Sequence, residues 1–172
     1  MKLDATFFGF EENVFLCGAY IPPEYSKNAV SQKTDYFESL EDSITRYSEQ
    51  GNVLIMGDLN ARIGVDKTQL TDIPILENLI PQDLSQIPTR SSCDFNTNRY
   101  GKKLRQLCQG HGLVVANGRT PGDQLGNFTC YNNRGASVVD YVICDRPLFK
   151  KVKKMKVQAP IFSSAYTPIE LI

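Results

Sequence analysis

Residues 53–60 read Val-Leu-Ile-Met-Gly-Asp-Leu-Asn, an apolar run that leads into a glycine and then into two polar side chains. An unbroken apolar run that ends at a turn signal predicts a strand buried on both faces. If the backbone stays extended beyond Gly57, the side chains of Asp58 and Asn60 point the same way. A carboxylate and a carboxamide would then lie together at a sheet edge, suited to orienting a water and contacting an anionic oxygen. The alternative is a strand end capped by an Asx turn.

The composition is that of one ordinary globular domain. The chain has 172 residues, 41% of them hydrophobic and 22% charged, which is enough for a substantial core. Lys plus Arg and Asp plus Glu balance at 19 each, so binding to phosphates requires a local basic patch. Five cysteines without a paired Cys-x-x-Cys spacing fit a reducing compartment. Because no apolar run approaches the roughly 20 residues of a membrane span, we expect an intracellular protein, nuclear or cytoplasmic, with no membrane partner.

Strand and helix patterns alternate in the first half of the chain. Residues 14–21 form a β-prone run that ends at two prolines, which places Tyr20 near a strand exit. Between residues 31 and 50, apolar side chains recur at helical spacing, with Ser31 and Thr34 as candidate caps. This order predicts a strand, a helix packed on the sheet, and the strand that precedes Asp58.

The second half predicts one helix and several short strands. The helix spans residues 98–109, and residues 113–116 and 128–131 are strand-prone. After a hairpin-like Asn-Asn-Arg-Gly turn, residues 137–144 read as one further strand. Asp140 stands in the middle of that apolar strand. A buried carboxylate is costly without a partner, so Asp140 is expected to be paired, hydrogen-bonded or at a functional cleft.

One basic cluster follows this strand. Residues 146–156 carry one arginine and five lysines, and residues 152–158 read as a strand with a lysine-rich exposed face. Lysines on a solvated strand commonly prevent edge-to-edge pairing. The alternative is that the Lys150–Lys156 segment contacts the phosphate backbone of DNA.

Five short motifs occur in order along the chain: Tyr-x-Pro-Pro from Tyr20, Gly-Asp-x-Asn from Gly57, Phe-Thr from Phe128, Ser-x-x-Asp-Tyr from Ser137, and Ser-x-x-Thr-Pro-Ile from Ser164. In this order and at these intervals they resemble the endonuclease/exonuclease/phosphatase superfamily, most closely the endonuclease domains of LINE-type non-LTR retrotransposons. Two linking signatures belong to the same pattern, Asp94-x-x-x-Asn98-x-x-Gly101 and Asn117-Gly118-Arg119-x-x-Gly122-Asp123.

The resemblance implies an α/β (α+β) fold, a partial two-sheet sandwich of the DNase I-like type. Residues 1–172 would form a single, N-terminally truncated domain, and the strands that lack their partners would have an uncovered edge that favours association. The implied activity is Mg²⁺-dependent phosphodiester hydrolysis, with Mn²⁺ as the alternative cation and DNA as the substrate.

The resemblance also implies a role for each matching residue. Asp58 would activate the attacking water and serve as the candidate metal ligand, and Asn60 would hold a phosphate oxygen. Tyr20 would contact the scissile phosphate, and Thr129 would line the site where the substrate binds. Asp140 matches the acid that orients a catalytic histidine.

The chain departs from the family pattern at that histidine. The family's last strand begins Ser-Asp-His, whereas Ala165 and Tyr166 stand at those positions here. A tyrosine, with an ordinary pKa near 10, is a poor substitute for an imidazole at neutral pH. The family's early metal-binding glutamate has no counterpart either, so we expect impaired catalysis. The single histidine, His111, lies in a helix-terminating Gly-His-Gly turn and is interpreted as structural or exposed.

Three functions stay open at this point. The first is a retrotransposon-type DNA endonuclease that uses Mg²⁺. The second is a non-catalytic, retroelement-derived remnant that binds nucleic acid or a protein partner. The third is a phosphatase of the same superfamily, although the two linking signatures favour the retroelement branch. Likeness of fold does not separate these substrates.

Overall fold

The computed structural model describes residues 1–26, 35–65, 87–160 and 164–172. In chain order the elements are β1 (Lys2–Leu3), α1 (Ala5–Phe8), β2 (Val14–Tyr20), α2 (Tyr36–Ser48), β3 (Asn52–Asp58), α3 (Arg99–Gly110), β4 (Val114–Val115), β5 (Cys130–Asn132), β6 (Gly135–Ser137), β7 (Asp140–Cys144), α4 (Arg146–Lys151), β8 (Met155–Val157) and β9 (Ile169–Leu171). No helix in these parts of the chain is long and apolar enough to cross a membrane.

A five-stranded mixed sheet forms the centre of the molecule, in the order β1-β2-β3-β7-β4. β2 and β3 are parallel, whereas β7 runs antiparallel to both β3 and β4. Two small antiparallel pairs, β5–β6 and β8–β9, accompany this sheet. The connection from β2 to β3 contains α2, as a parallel pair requires.

Two apolar clusters cover the two faces of the sheet. On one face, α2 and α3 pack against alternate residues of β3 and β7, and the members include Phe37, Leu40, Ile44, Val53, Ile55, Leu104 and Ile143. On the other face, the intervening residues Leu54, Met56, Val142 and Cys144 are covered by α4 and the β8–β9 pair, which contribute Phe149 and Met155. β3 is therefore covered on both faces, which explains its unbroken apolar run.

Close packing of β2 against β3 explains the glycine at the end of that run. Gly57 has a positive φ of 144°, and a Cβ atom there would lie 2.0 Å from the carbonyl oxygen of Ala19. Any side chain at this position would push the two strands apart. The ends of the two parallel strands, which carry Tyr20 and Asp58, can lie this close together only because residue 57 is glycine.

The helix boundaries differ slightly from the sequence expectation. α2 begins after Asp35, whose side chain accepts a hydrogen bond from the backbone N–H of Phe37 at 3.0 Å. Asp35 is therefore the N-cap, while Ser31 and Thr34 lie outside the described residues. α3 begins after Asn98, within one residue of the predicted start.

The prediction of one strand over residues 137–144 is wrong. β6 ends at Ser137 and β7 begins at Asp140, and the two strands belong to different sheets. Between the two strands, side chains accept the backbone hydrogen bonds. The N–H of Val138 donates to the Asp94 carboxylate at 3.1 Å, and the N–H of Val139 donates to the Thr129 hydroxyl at 3.0 Å. Side-chain acceptors of this kind compete with the strand ladder. Asp140 consequently begins a strand at the rim instead of lying in its middle.

The strand predicted over residues 152–158 is confined to Met155–Val157. Ahead of it, α4 was not predicted; Asp145 caps this helix by accepting from the N–H of Leu148, and a proline occupies its first turn. The basic residues are thereby divided between α4 and β8. Lys156 stands opposite Glu170 in the β8–β9 register, an opposite-charge pair that supports the structural interpretation of this lysine.

Candidate active site

Three predicted site residues lie side by side across neighbouring strands. Tyr20 of β2 is paired in register with Asp58 of β3, and Asp58 is paired with Asp140 of β7. Residues paired in register point to the same face of a sheet. The structure therefore brings these three side chains together at the rim where the chain leaves β3.

Asp58 and Asp140 form a non-hydrogen-bonded pair of the antiparallel ladder. The N–H of Leu59 donates to the carbonyl oxygen of Val139 at 2.9 Å, so the hydrogen-bonded pairs fall on the adjacent positions. Side chains approach each other most closely at non-hydrogen-bonded pairs. Like charges placed directly opposite are destabilising, so this arrangement needs a reason other than stability.

The surroundings hold both carboxyl groups closer to neutrality. Burial, followed by the facing charge of Asp58, raises the pKa of Asp140 to about 6, against the opposing effect of the Thr129 hydroxyl. Burial also raises the pKa of Asp58, and hydrogen bonding from Asn60 and the nearby Tyr166 hydroxyl oppose that rise. Within the described ranges, the Oδ2 atoms of Asp58 and Asp140 are buried without a hydrogen-bond partner. Two unsatisfied carboxylate oxygens on facing residues favour the binding of a cation or a proton at this rim.

Asn60 lies beyond the strand end, in a left-handed backbone conformation with φ of 46°. The expectation of an extended backbone after Gly57 is therefore wrong. The Asp58 side chain causes the change, because its Oδ1 accepts from the N–H of Asn60 at 2.9 Å and forms the alternative Asx turn. The Asn60 Nδ2 donates to the carbonyl oxygen of Ile21 at 2.9 Å. The carboxamide thus reaches the carboxylate through a turn and not along a strand.

Thr129 is fully buried behind the rim. Its Oγ1 accepts from the N–H groups of Val139 and Asp140 at 3.0 and 3.1 Å. Its carbonyl oxygen accepts from both the N–H and the hydroxyl of Thr167, at 2.9 and 3.1 Å. In this structure Thr129 supports the site by joining the start of β7 to the segment that carries Tyr166; its predicted role in lining the substrate site stays a prediction.

Ala165 and Tyr166 reach the site despite their departure from the family pattern. The carbonyl oxygen of Ala165 accepts from the N–H of Tyr131, and Tyr166 forms a bridge with Cys130. Burial, followed by the charge of Asp58, raises the pKa of the Tyr166 phenol to about 12. The phenol therefore stays protonated at neutral pH. Its hydroxyl interacts with Asp58, and among the described residues the Oδ2 of Asp140 has no hydrogen-bond donor.

An ion pair between half-buried Arg62 and buried Asp94 holds the loop behind the site. Asp94, only 2% exposed, accepts from the Nε and Nη2 atoms of Arg62 at 2.8 and 2.7 Å and from the N–H of Val138 at 3.1 Å. It therefore ties the loop after β3 to the segment before β7. In the sequence, Asp94 stands out only as part of a linking signature, and its spacing to Asn98 is the signal that points to it.

The second linking signature supports Asp140 from the other side. Asn117 is fully buried; its Nδ2 donates to the carbonyl oxygen of Asp140 at 3.1 Å, and its Oδ1 accepts from the N–H of Val142 at 3.0 Å. One side chain thus continues the hydrogen-bond ladder of β7 where β4 has ended. The sequence shows Asn117 only as a member of that signature and does not indicate this role.

His111 is remote from the carboxylate pair. Its Nε2 lies 3.2 Å from the Glu41 carboxylate, which joins the end of α3 to α2. This placement supports the structural interpretation of the single histidine.

The described residues contain no group of three or more His, Cys, Asp or Glu side chains arranged to hold a metal ion. The unsatisfied Oδ2 atoms of Asp58 and Asp140 nevertheless provide two oxygen donors. Mg²⁺ is commonly held by one or two carboxylates, with water and substrate phosphates completing its coordination. The pair fits a cation of this class.

Comparison with known proteins identifies the architecture. No protein-family model matches the chain. The chain is 25% identical over 167 residues to DNA-(apurinic or apyrimidinic site) endonuclease 2 of Schizosaccharomyces pombe, covering 91% of this chain and 29% of that protein. Among solved structures, it superposes on the endonuclease domain of TRAS1, a telomere-specific non-LTR retrotransposon, with a TM-score of 0.54 and 16% identity over 91% of this chain and 54% of that one. The chain has the endonuclease/exonuclease/phosphatase fold.

Two further structures with this fold agree. The 3'-5' exonuclease NExo of Neisseria meningitidis gives a TM-score of 0.58 and 12% identity over 92% of this chain and 59% of that one. The catalytic domain of Xenopus laevis APE2 gives a TM-score of 0.58 and 16% identity over 94% and 49%. These comparisons confirm the predicted fold class and the resemblance drawn from the motifs. The chain spans 29% of the curated relative and between 49% and 59% of the matched structures.

Proposed function

We propose that the rim site is that of a divalent-metal-dependent DNA endonuclease whose hydrolytic step is impaired by Tyr166. One observation carries the proposal: Tyr20, Asp58 and Asp140 stand in a single row across three strands, with two buried carboxylate oxygens unsatisfied. The names of the relatives, an apurinic-site endonuclease and a retrotransposon endonuclease, support DNA as the substrate class.

The proposed roles follow from the positions of the side chains. Asp58 would orient and deprotonate the attacking water, because a carboxylate with a raised pKa is a better base than an exposed one. The Asn60 side chain donates to Ile21 and also hydrogen-bonds Asp58, so a phosphoryl oxygen bound beside Asp58 would take over the second of these contacts. Tyr20, 67% exposed beside Asp58, would contact the same phosphate. A cation held by Asp58 and Asp140 would stabilise the charge that develops on the phosphoryl oxygens.

Tyr166 explains why catalysis should be weak. An imidazole exchanges protons near neutral pH, whereas a phenol with a pKa of about 12 remains a neutral donor. The hydroxyl also lies towards the water-activating Asp58. Asp140 consequently has no ring nitrogen to orient.

Nicking of supercoiled plasmid DNA tests this function. We expect no detectable nicking by the unaltered chain, and weak nicking by the double variant Ala165→Asp/Tyr166→His. That nicking should require Mg²⁺ or Mn²⁺ and should be lost on adding Asp58→Ala. Adding Asp42→Ala, which changes an exposed carboxylate on α2, is the matched control. Robust nicking by the unaltered chain that Asp58→Ala abolishes would show that Tyr166 is no obstacle.

The replacement of the family's Asp-His pair by Ala165 and Tyr166 supports a second candidate, a non-catalytic remnant that binds nucleic acid. A gel shift with a salt titration tests binding independently of hydrolysis, since the salt slope reports the number of phosphates contacted. Salt-dependent binding by a folded double variant that never nicks would favour this candidate over the endonuclease.

A further inference from the structure

Asn60 is held from several sides in a conformation that few residues other than glycine adopt. Asparagine adopts a positive φ more readily than most other residues that carry a side chain, and such residues cluster at functional sites. Its N–H donates to Asp58, and its side chain donates to Ile21. Its carbonyl oxygen accepts from the Nδ2 of Asn98 at 2.9 Å. The first two contacts lie on the β2–β3 side, and the third comes from α3.

Asn98 uses every polar atom for this loop or for its own helix. Its Oδ1 accepts from the N–H of Arg62 at 2.9 Å and from the N–H of Gly101 at 2.7 Å. Its own N–H donates to the carbonyl oxygen of Arg62 at 3.0 Å. Asn98 is therefore the N-cap of α3 and also the clamp on residues 60–62.

The helix beneath is a firm support for this clamp. Leu104 is fully buried and Tyr100 nearly so, which fixes α3 in the core. A Cβ atom at Gly101 would lie 1.8 Å from the carbonyl oxygen of Arg62. Only glycine therefore lets the loop pack directly on the first turn of the helix.

We propose that Asn98 is a positioning residue, which fixes the backbone of Asn60 through its carbonyl group and so aims the Asn60 carboxamide at the site. The functional meaning of this rests on the proposed endonuclease activity. The effect of Asn98 on the backbone of residues 60–62 does not depend on that activity, because it concerns only how α3 holds the loop.

Asn98→Asp removes the hydrogen bond to Asn60 while keeping the N-cap of α3. Aspartate caps a helix as well as asparagine does, and its Oδ1 still accepts from Arg62 and Gly101. The second oxygen then faces the carbonyl oxygen of Asn60, where the Nδ2 donor stood. Asp35→Asn is the matched control, because it makes the reverse exchange at the N-cap of α2. The Asp35 side chain contacts Lys103 and Phe37, which are not part of the rim.

Native-state hydrogen exchange at the Asn60 amide is the deciding measurement. We expect exchange in Asn98→Asp to be about tenfold faster than the change in global stability explains, since one hydrogen bond of ordinary strength has been lost. Asp35→Asn should leave the Asn60 amide at the rate expected from its stability. Equal rates in both variants at matched stability would overturn the proposal. Asn98→Ser, which keeps a cap acceptor and replaces the Nδ2 amide donor by a shorter hydroxyl, replaces Asn98→Asp if the latter does not fold.

A kinetic arm links the clamp to the proposed function. In the Ala165→Asp/Tyr166→His background, adding Asn98→Asp should lower kcat for nicking more than it raises KM, because the contact of Asn60 with the phosphate matters most in the transition state. Unchanged kcat in a background that nicks would overturn the link to catalysis. A background that does not nick would count against the endonuclease proposal, and hydrogen exchange would still decide the role of Asn98.

Discussion

The Asp140 carboxyl is held near neutrality at a cost to the fold. Burial and the facing Asp58 raise its pKa from 3.8 to about 6. Between these values the native state binds more protons than the unfolded chain, so the stability that this proton confers is complete below about pH 4 and is lost as the pH rises through 6. Groups of this kind are common at functional sites, where stability is sacrificed for chemistry.

Replacement of Asp140 by asparagine should therefore stabilise the protein at high pH. The rise in pKa corresponds to about 3 kcal/mol, and partial exposure reduces this to about 1–2 kcal/mol. We expect Asp140→Asn to raise the free energy of unfolding by that amount at pH 8 and to have little effect at pH 4, as measured by urea denaturation. The exposed Asp42→Asn is the control. An unchanged pH dependence between pH 4 and 7 in Asp140→Asn would contradict this account.

The Arg62–Asp94 pair makes a second prediction, at the scale of the loops it joins. Asp94 is almost fully buried, whereas the side chain of Arg62 is about one-third exposed. Burial raises the pKa of Asp94, but the hydrogen bonds that its carboxylate accepts from Arg62, Val138 and Asn96 outweigh burial and lower the pKa overall. The stability that these hydrogen bonds give is present above the pKa of Asp94 in the unfolded chain. It is lost as the pH falls through the lower pKa of Asp94 in the folded protein.

Arg62→Met should destabilise the protein by about 3 kcal/mol, because it leaves a buried carboxylate without its cation. The loss should shrink at low pH, where Asp94 can be protonated in the variant. Adding Asp94→Leu should recover part of the loss at neutral pH, since both charges are then absent. Chemical denaturation at pH 4 and pH 7.5 provides the measurement. A loss of equal size at both pH values would show that the buried charge is not its cause.

The elements that could be predicted from the sequence are those with local causes. The apolar run of β3 and the helical spacing of Phe37, Leu40 and Ile44 each identify an element and its buried face. The break between β6 and β7 has a distant cause, because the acceptor for the N–H of Val138 is Asp94, 44 residues away in the chain. Periodicity within a window contains no information of that kind.

The same distinction applies to the candidate site. Strand exits visible in the sequence placed Tyr20 and Asp58 near one rim, whereas only the ordered motifs of the family resemblance added Asp140, which the strand pattern put in mid-strand. The turn at Asn60 has a local cause in Asp58, but two further hydrogen bonds that hold it come from Ile21 and Asn98, which are 39 and 38 residues away. Its left-handed turn could be anticipated only as an Asx alternative.

At the scale of the whole molecule, the outer edge of β2 is only partly covered by β1. β1 pairs with only Val14 and Phe15, and Leu16 exchanges hydrogen bonds with Met1. In the part of the chain that the structure describes, no strand pairs with that edge between residues 17 and 20. The edge ends at Tyr20, whose side chain is mostly exposed.

An open edge beside exposed aromatic surface favours association between copies of the chain, because unpaired N–H and C=O groups attract another strand. We expect the unaltered chain to sediment as oligomers at micromolar concentration. Gly18→Lys should shift it towards the monomer, since a Cβ atom at Gly18 meets nothing within 4 Å and the charge would stand on the edge. Gly110→Lys adds the same charge at an equally open position at the end of α3, so it should leave the association unchanged. A monomeric unaltered chain, or an equal effect of the two lysines, would show that the edge of β2 does not drive association.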